Sequence, residues 1–414
     1  VLIFYNVFIF LYYWVICLVS TWNTKAKEWI AGRRSWKATL TSQIDTNSPW
    51  IWVHCASAGE FEQGKPIIEK LKQTYSDHKI LVSFFSPSGY SVGKKYKQAN
   101  AICYLPLDTP ANASQFLEIV DPKLVIFIKY DYWYYHLKAV SDRKIPLLLV
   151  SAIFRESQPF FKWYGGLHRK ILSYFTQLFV QDLQSIERLK SITIKHAVVS
   201  GDTRFDRVAA IANQSVELAY VKEFINNTQV LIAGSTWPDD EEMIMSGLRN
   251  IKPIKLIIAP HEINKAHIES LLKLFPDACK YSEAAHYDLK SSPVMIIDNV
   301  GMLSRLYYYA DIAYIGGGFN KSGIHNTLEA AVWGKPVLFG PNYQKFKEAK
   351  ELIQSKAAYS ISNAAELANT LQELLENKEK RQKSGLSAQA YVQEQKGATD
   401  IILDFIQEKR LLTS

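Results

Sequence analysis

Short apolar runs alternate along this chain with longer stretches whose apolar positions recur every three or four residues. Trp50 to Cys55 (WIWVHC), Ile80 to Phe85, Ala101 to Leu105, Leu124 to Ile128, Pro146 to Ser151, Gln177 to Val180 and His196 to Ser200 read as buried strands. Between the first two, Glu60 to Tyr75 places Phe61, Ile67, Ile68 and Leu71 at helical spacing. The alternation restarts at Gln229. Strands are predicted at Val230 to Ala233, Lys255 to Ala259, Val294 to Ile297, Ile312 to Ile315, Val337 to Phe339 and Ala358 to Ser360. Asp239 to Glu242 reads as the acidic start of a helix, Leu303 to Ala310 as helical, and residues 364–409 as helical and charged. Strands alternating with helices predict an α/β fold: a doubly wound, mostly parallel sheet in each half, joined near residues 207–228.

The first 24 residues break this pattern. VLIFYNVFIFLYYWVICLVSTWNT carries no charge. Its apolar core is about 20 residues, long enough to cross a bilayer. Tyr12, Tyr13, Trp14 and Trp22 suit a membrane interface. Lys25, Lys27, Arg33, Arg34 and Lys37 follow the apolar run, whereas a cleavable signal carries its charge before it. The expectation is a membrane anchor with the downstream body in the cytoplasm; the alternative is a buried first helix. Polar residues 38–48 read as a link to the body.

Composition narrows the picture. A chain of 414 residues with 48% hydrophobic positions supports two α/β cores. A net charge of +8 suits an anionic ligand or surface. There is no zinc-finger spacing and no RNA-binding signature, so nucleic acid is not an expected partner. Cys17, Cys55, Cys103 and Cys279 are scattered without a CxxC, which speaks against disulfide or metal roles.

Two loops carry candidate chemistry. In the first, the apolar run ending at Ile315 enters Gly316-Gly317-Gly318, then His325-Asn326-Thr327-Leu328-Glu329 opens a short helix before the strand at Val337. Glycines admit close backbone approach, and a helix N-terminus offers N–H groups to a phosphate. Glu329 is placed to accept ribose hydroxyls. The same Asn326/Glu329 spacing also fits a capping box that needs no ligand. The second loop, His54-Cys55-Ala56-Ser57-Ala58-Gly59-Glu60, leaves the carboxyl end of the first body strand, where open α/β sheets place ligands. Ser57 and Glu60 likewise fit a capping box. The functional reading makes Glu60 a general base, kept ionised by the helix N-terminus.

Taken together, GGG followed by HNTLEAAVWGKPVLFGP, and WVHCASAGEFEQGKP, resemble the 3-deoxy-D-manno-octulosonic acid (Kdo) transferases of lipopolysaccharide synthesis. Ser86-Pro87-Ser88-Gly89, Tyr104-Leu105-Pro106-Leu107-Asp108, Gly201 to Asp206 (GDTRFD) and Ala233 to Thr236 (AGST) match further segments in the family's order, from about residue 50 to residue 375. The resemblance implies a GT-B fold, two Rossmann-like domains facing across a cleft: anchor 1–24, acceptor domain 25–206, CMP-sugar domain 207–385 and a helical tail 386–414. It implies inverting transfer of Kdo from CMP-Kdo to lipid IVA at the inner membrane, with membrane lipids as further partners and neither metal nor cofactor. Glu60 is the implied base, with Asp131 and Arg204 as catalytic partners. The implied binding set is Ser57, Gly59, Gly234, Ser235, Thr236, Pro260, His261, Val300, Gly301, Met302, Gly317, Gly318, His325, Asn326, Thr327, Leu328 and Glu329.

The chain departs from the family at three places. Lys129-Tyr130-Asp131-Tyr132-Trp133 stands where Glu-Thr-Glu-Leu-Trp is usual, Arg204 replaces a lysine, and Pro260-His261-Glu262-Ile263 replaces Pro-Arg-His-Pro. His261 is either a nucleotide contact or an ordinary loop histidine. Asp239-Asp240-Glu241-Glu242 reads as an acidic first turn rather than a metal motif. Aromatics and cations at Tyr132 to Tyr135 and Phe160 to Tyr164 read mainly as core, with a minority available to a membrane-facing patch. Competing readings are a UDP-sugar transferase or epimerase of the same plan, and an inactive membrane-tethered nucleotide-binding protein.

Overall fold

In the computed structural model, which describes residues 2–249, 251 and 253–412, the chain forms two compact units. One comprises residues up to Arg207 together with those from Lys396 onward; the other runs from Val208 to Gln395.

The first unit is built on β1 (Trp50–Cys55), β2 (Lys79–Phe84), β3 (Ala101–Tyr104), β4 (Pro122–Ile128), β5 (Leu147–Ala152), β6 (Gln177–Val180) and β7 (Ala197–Val199). Their order is β3-β2-β1-β4-β5-β6-β7, all parallel. Every residue of β1 is buried, because helices cover both faces of a parallel sheet. The chain winds outward from β1 to β3 and returns to β4 on the other side. The carboxyl ends of β1 and β4 therefore flank a topological switch point.

The second unit repeats the plan with β8 (Val230–Thr236), β9 (Lys255–Pro260), β10 (Ala278–Lys280), β11 (Val294–Ile296), β12 (Ile312–Ile315), β13 (Val337–Phe339) and β14 (Ala358–Ser360), in the order β10-β11-β9-β8-β12-β13-β14. Its switch point lies between β8 and β12. β10 has no counterpart in the sequence reading: it is a three-residue edge strand, ACK, too short to leave an apolar run. β8 runs past the predicted end at Ala233 to Thr236 by shifting register after Gly234, with Ser235 in the left-handed region at φ 54°. The expected helix at Leu303 to Ala310 is α-helical only over Leu303–Leu306 and tightens to a 3-10 turn over Tyr307–Tyr309.

Among the described residues, three helices precede β1: α1 (Leu2–Val19), α2 (Thr24–Arg34) and α3 (Trp36–Thr41). Residues 38–48 are not a free link. Leu40 is fully buried, Gln43 Oε1 accepts the Ile102 N–H at 2.9 Å, and the Trp50 indole donates to Asp45 O. α1 is, among the described residues, the one helix long and apolar enough to cross a membrane, with mean hydropathy 2.2. It lies along the first unit. The Tyr5 hydroxyl donates to Asp108, Tyr135 donates to Asn6, Ile9 is buried, and Tyr12 stacks on Phe85. Phe4, Phe8, Leu11, Trp14 and Leu18 are left exposed.

The tail also differs from the expected break at residue 386. Helix Lys378–Gln395 stays with the second unit, and Ala398–Glu408 returns to the first. Asp206 directs the return: its carboxylate accepts the Gly397 N–H at 2.6 Å and both the N–H and hydroxyl of Thr399 at 2.7 Å. Ile402, Leu403 and Ile406 then join the core beneath β1 and β4.

Candidate active site

In the first unit, β1 delivers Ser57 to the N-cap of α4 (Ala58–Thr74). Ser57 Oγ accepts the Gly59 N–H at 3.2 Å and donates to Glu60 Oε2. The expected capping pair thus meets side chain to side chain, with Glu60 half-buried on the first turn. Asp131 lies across the switch point, at the end of β4. Its Oδ2 accepts from His54 Nε2 at 2.8 Å and from Trp133 Nε1 at 3.1 Å. His54 is fully buried, and its Nδ1 lies 2.8 Å from Ser83 Oγ, which also accepts the Trp52 indole N–H at 2.7 Å. Because Ser83 already accepts from Trp52, its own proton is free for His54 Nδ1. His54 Nε2–H is then directed at Asp131. This chain was missed from sequence, although a histidine and a serine inside WIWVHC and KILVSF are its visible signal; they stand opposite each other in the β1–β2 register.

Arg204 is not a lone cation. Its Nε donates to Asp202 Oδ2 at 2.8 Å, and its backbone N–H to Oδ1 at 2.9 Å; Gln63 also donates to Oδ1 at 2.8 Å. Burial would raise the Asp202 carboxyl, but Arg204 and these donors outweigh it and hold it below its ordinary range. Tyr130 sits among Arg155, Asp202, Arg204 and Glu60, and burial pushes its hydroxyl up to about 12. Arg155 is thereby added to the charged cluster, a residue nothing in its sequence neighbourhood marked. Lys129 and Ser151, at the ends of β4 and β5, hold left-handed φ values of 71° and 53°. Such strain in non-glycine residues gathers where the surroundings fix a site.

In the second unit, the segments expected to bind a nucleotide leave β8, β9 and β12 side by side. His261 stacks between Trp237 (4.9 Å) and His325 (4.3 Å), and Trp237 Nε1 donates to His325 Nε2 at 3.1 Å. Burial, then the neighbouring His261, lowers His325 to about 4. Asn326 Nδ2 donates to Glu329 Oε1 at 3.1 Å, while Thr327 takes the N-cap position. The helix that follows is one turn, Leu328–Ala331, so its dipole is weaker than a longer helix would supply. The Tyr307 hydroxyl packs against Gly234 of the AGST segment, and burial, then the charge of Glu329, holds it well above its ordinary range. Pro260 ends β9, and Val300, Gly301 and Met302 lead from β11 into helix Leu303–Leu306.

The acidic run of 239–242 is more than a solvated first turn. Asp240 is buried, accepting the Tyr314 hydroxyl at 2.7 Å and the N–H groups of Gly317 (2.8 Å) and Trp237 (3.0 Å). Burial raises its carboxyl against those donors. The Gly317 N–H is therefore committed inward. Gly317 has φ 89°, and Gly318 packs so closely on Gly340 that an added Cβ would lie 2.4 Å from its backbone. These glycines fix the loop, and the Gly318 N–H is left unpaired among the described residues.

Each unit therefore carries its own cluster at its own switch point: carboxylates and arginines on the first, a ring stack and a glycine loop on the second. A family model described as 3-deoxy-D-manno-octulosonic-acid transferase (kdotransferase) matches residues 32–207. The chain is 31% identical over 337 residues to the 3-deoxy-D-manno-octulosonic acid transferase of Aquifex aeolicus, covering 78% of this chain and 86% of that protein. It is 30% identical over 343 residues to the protein of the same name from Rickettsia felis, covering 78% and 71%. Among solved structures, the UDP-GlcNAc 2-epimerase of Neisseria meningitidis bound to UDP-GlcNAc superposes with TM-score 0.60 at 16% identity, covering 87% of this chain and 100% of that one. MurG of Acinetobacter baumannii gives TM-score 0.54 at 15% identity, covering 87% and 99%. At these identities the structures establish the GT-B fold alone.

Proposed function

The chain belongs to the 3-deoxy-D-manno-octulosonic acid transferase family, and from that premise we propose its chemistry, residue by residue. It is a glycosyltransferase that moves Kdo in lipopolysaccharide synthesis. The donor is CMP-Kdo and the acceptor is lipid IVA. The acceptor hydroxyl attacks the anomeric carbon while Glu60 takes its proton. The bond to the CMP phosphate breaks with its electron pair leaving on the phosphate, and the configuration inverts.

The observation that carries this reading is Glu60 itself. It lies at the carboxyl end of β1 beside the switch point, hydrogen-bonded by Ser57, inside the segment that the family model covers. Asp131, held by His54 and Trp133, is a second acceptor-side carboxylate. Arg204, oriented by Asp202, and Arg155 supply positive charge for the donor carboxylate or the departing phosphate. CMP is assigned to the second unit: the base or ribose against His261 and Glu329, the phosphate toward Gly318. The phosphate ester is already a good leaving group, so no metal or cofactor is assigned to the step.

We further place the chain at the cytoplasmic face of the inner membrane, held by α1, whose exposed apolar residues and following basic residues support that placement. The test is incubation of the purified chain with CMP-Kdo and lipid IVA, followed by mass spectrometry of the lipid. Addition of Kdo is expected. Transfer of a different sugar from a UDP donor, with none from CMP-Kdo, would overturn the assignment.

A further inference from the structure

The loop after β5 holds two aromatic side chains in water, and its construction shows that they are presented rather than loose. Trp163 is 92% exposed and Tyr164 56%, packed edge to face on each other. Behind them the loop is pinned. Phe160 is buried against Tyr132 and Phe154. Arg169 Nη1 donates to the carbonyls of Phe160 and Lys162, both at 3.0 Å. The Gly165 N–H returns to Lys162 O at 3.0 Å, and an added Cβ at Gly165 would lie 2.0 Å from Pro159 O. A loop so fixed spends buried contacts to keep a tryptophan out of the core. That is the reverse of what folding alone favours.

The charge and the surroundings say what covers the pair. Residues 153–172 carry Arg155, Lys162, Arg169 and Lys170 against the single carboxylate of Glu156. With Arg155 facing the Tyr130 cluster and Arg169 tied to the loop's own carbonyls, Lys162 beside the pair and Lys170 on the following helix remain to meet lipid phosphates. An amphipathic aromatic tip flanked by lysines matches the headgroup layer of an anionic bilayer, where tryptophan and tyrosine settle. The tip is also continuous with α1. Tyr132 touches Phe160 at its base, and two residues further on Tyr134 and Tyr135 pack against Tyr5 of α1. The loop and the apolar helix thus both pack on one short segment, Tyr132 to Tyr135, that follows β4.

We propose that Trp163 and Tyr164 are a second bilayer contact, acting beside α1 and inserting at the headgroup level of anionic membranes. This rests on the membrane placement proposed above, and it adds a point of attachment that fixes the carboxyl edge of the first sheet toward the lipid surface. Two separated contacts on the first unit hold its orientation more tightly than α1 alone.

The test uses the full chain and vesicles of phosphatidylethanolamine with phosphatidylglycerol, at a lipid concentration that binds half of the protein. Trp163→Ala with Tyr164→Ala should weaken partitioning about three- to tenfold, and Trp163→Glu should weaken it further. Melting temperatures should not move, since neither side chain is packed in the core. Equal partitioning of wild type and variants would overturn the proposal. So would unchanged partitioning with a raised KM for the lipid acceptor, which would assign the pair to the acceptor's acyl chains. Because partitioning needs neither donor nor turnover, a failure here is separable from a failure of the proposed reaction.

Discussion

Glu329 and Asn326 share a 3.1 Å hydrogen bond at the mouth of the glycine loop, and neither is buried. Glu329→Ala should therefore weaken CMP binding in calorimetry by about tenfold, the scale of a lost charge-assisted hydrogen bond, while far-ultraviolet circular dichroism stays unchanged. Unchanged affinity would reduce the pair to a helix-capping device. His325 gives a pH prediction. Its folded pKa, about 4, lies below the ordinary 6.5, so acid favours the unfolded chain, which binds the proton more readily. Its contribution to stability is intact above pH 6.5 and is lost as the pH falls toward 4. His325→Gln keeps an acceptor for Trp237 but cannot titrate. Its melting temperature should fall less between pH 7 and pH 5 than that of the wild type, and an equal fall would contradict the assignment. Motifs in the sequence single out Glu60, Glu329 and Asp131 as candidates. They did not expose Asp240, Arg155 or the His54–Ser83–Trp52 chain, because those partnerships join residues on different strands and helices.

At the scale of elements, the parallel strands were readable because burial on both faces turns each into an apolar run. What was lost was short or locally irregular: β10 with three residues, the register shift in β8, and the 3-10 turn at Tyr307–Tyr309. The glycine loop makes the strictest packing claim. Gly318→Ala would force a methyl group against the backbone of Gly340, where no flexible side chain can give way. A cost of about 1–3 kcal/mol is expected, read as a lower urea midpoint, together with loss of CMP binding. A variant with wild-type stability would mean that the two loops are further apart than described. α1 makes a second claim. Removing residues 2–19 should move much of the chain into the soluble fraction while CMP binding survives, because α1 belongs to the first unit and the residues assigned to CMP to the second. A truncated chain bound to membranes as fully as the wild type would transfer the attachment to other surfaces of the first unit.

For the whole molecule, the division into two α/β units was readable from the restart of the strand pattern at Gln229. The route of the tail was not. Helix Ala398–Glu408 carries an ordinary apolar stripe, and only Asp206, nearly two hundred residues earlier, reveals which core it completes. Reading GDTRFD as a ligand motif hid a structural task, since its last carboxylate caps the returning helix. The central claim is the proposed base, Glu60 of the first unit. Its most direct test is one assay, Kdo transfer from CMP-Kdo to lipid IVA by wild type and Glu60→Gln, with CMP affinity measured in parallel. Removing a general base should lower turnover by about 10²–10⁴-fold while CMP binding and melting temperature stay near wild type. Near-normal transfer by Glu60→Gln would contradict the account, leaving Glu60 as a partner of the Ser57 cap and passing the base to another carboxylate, Asp131 first.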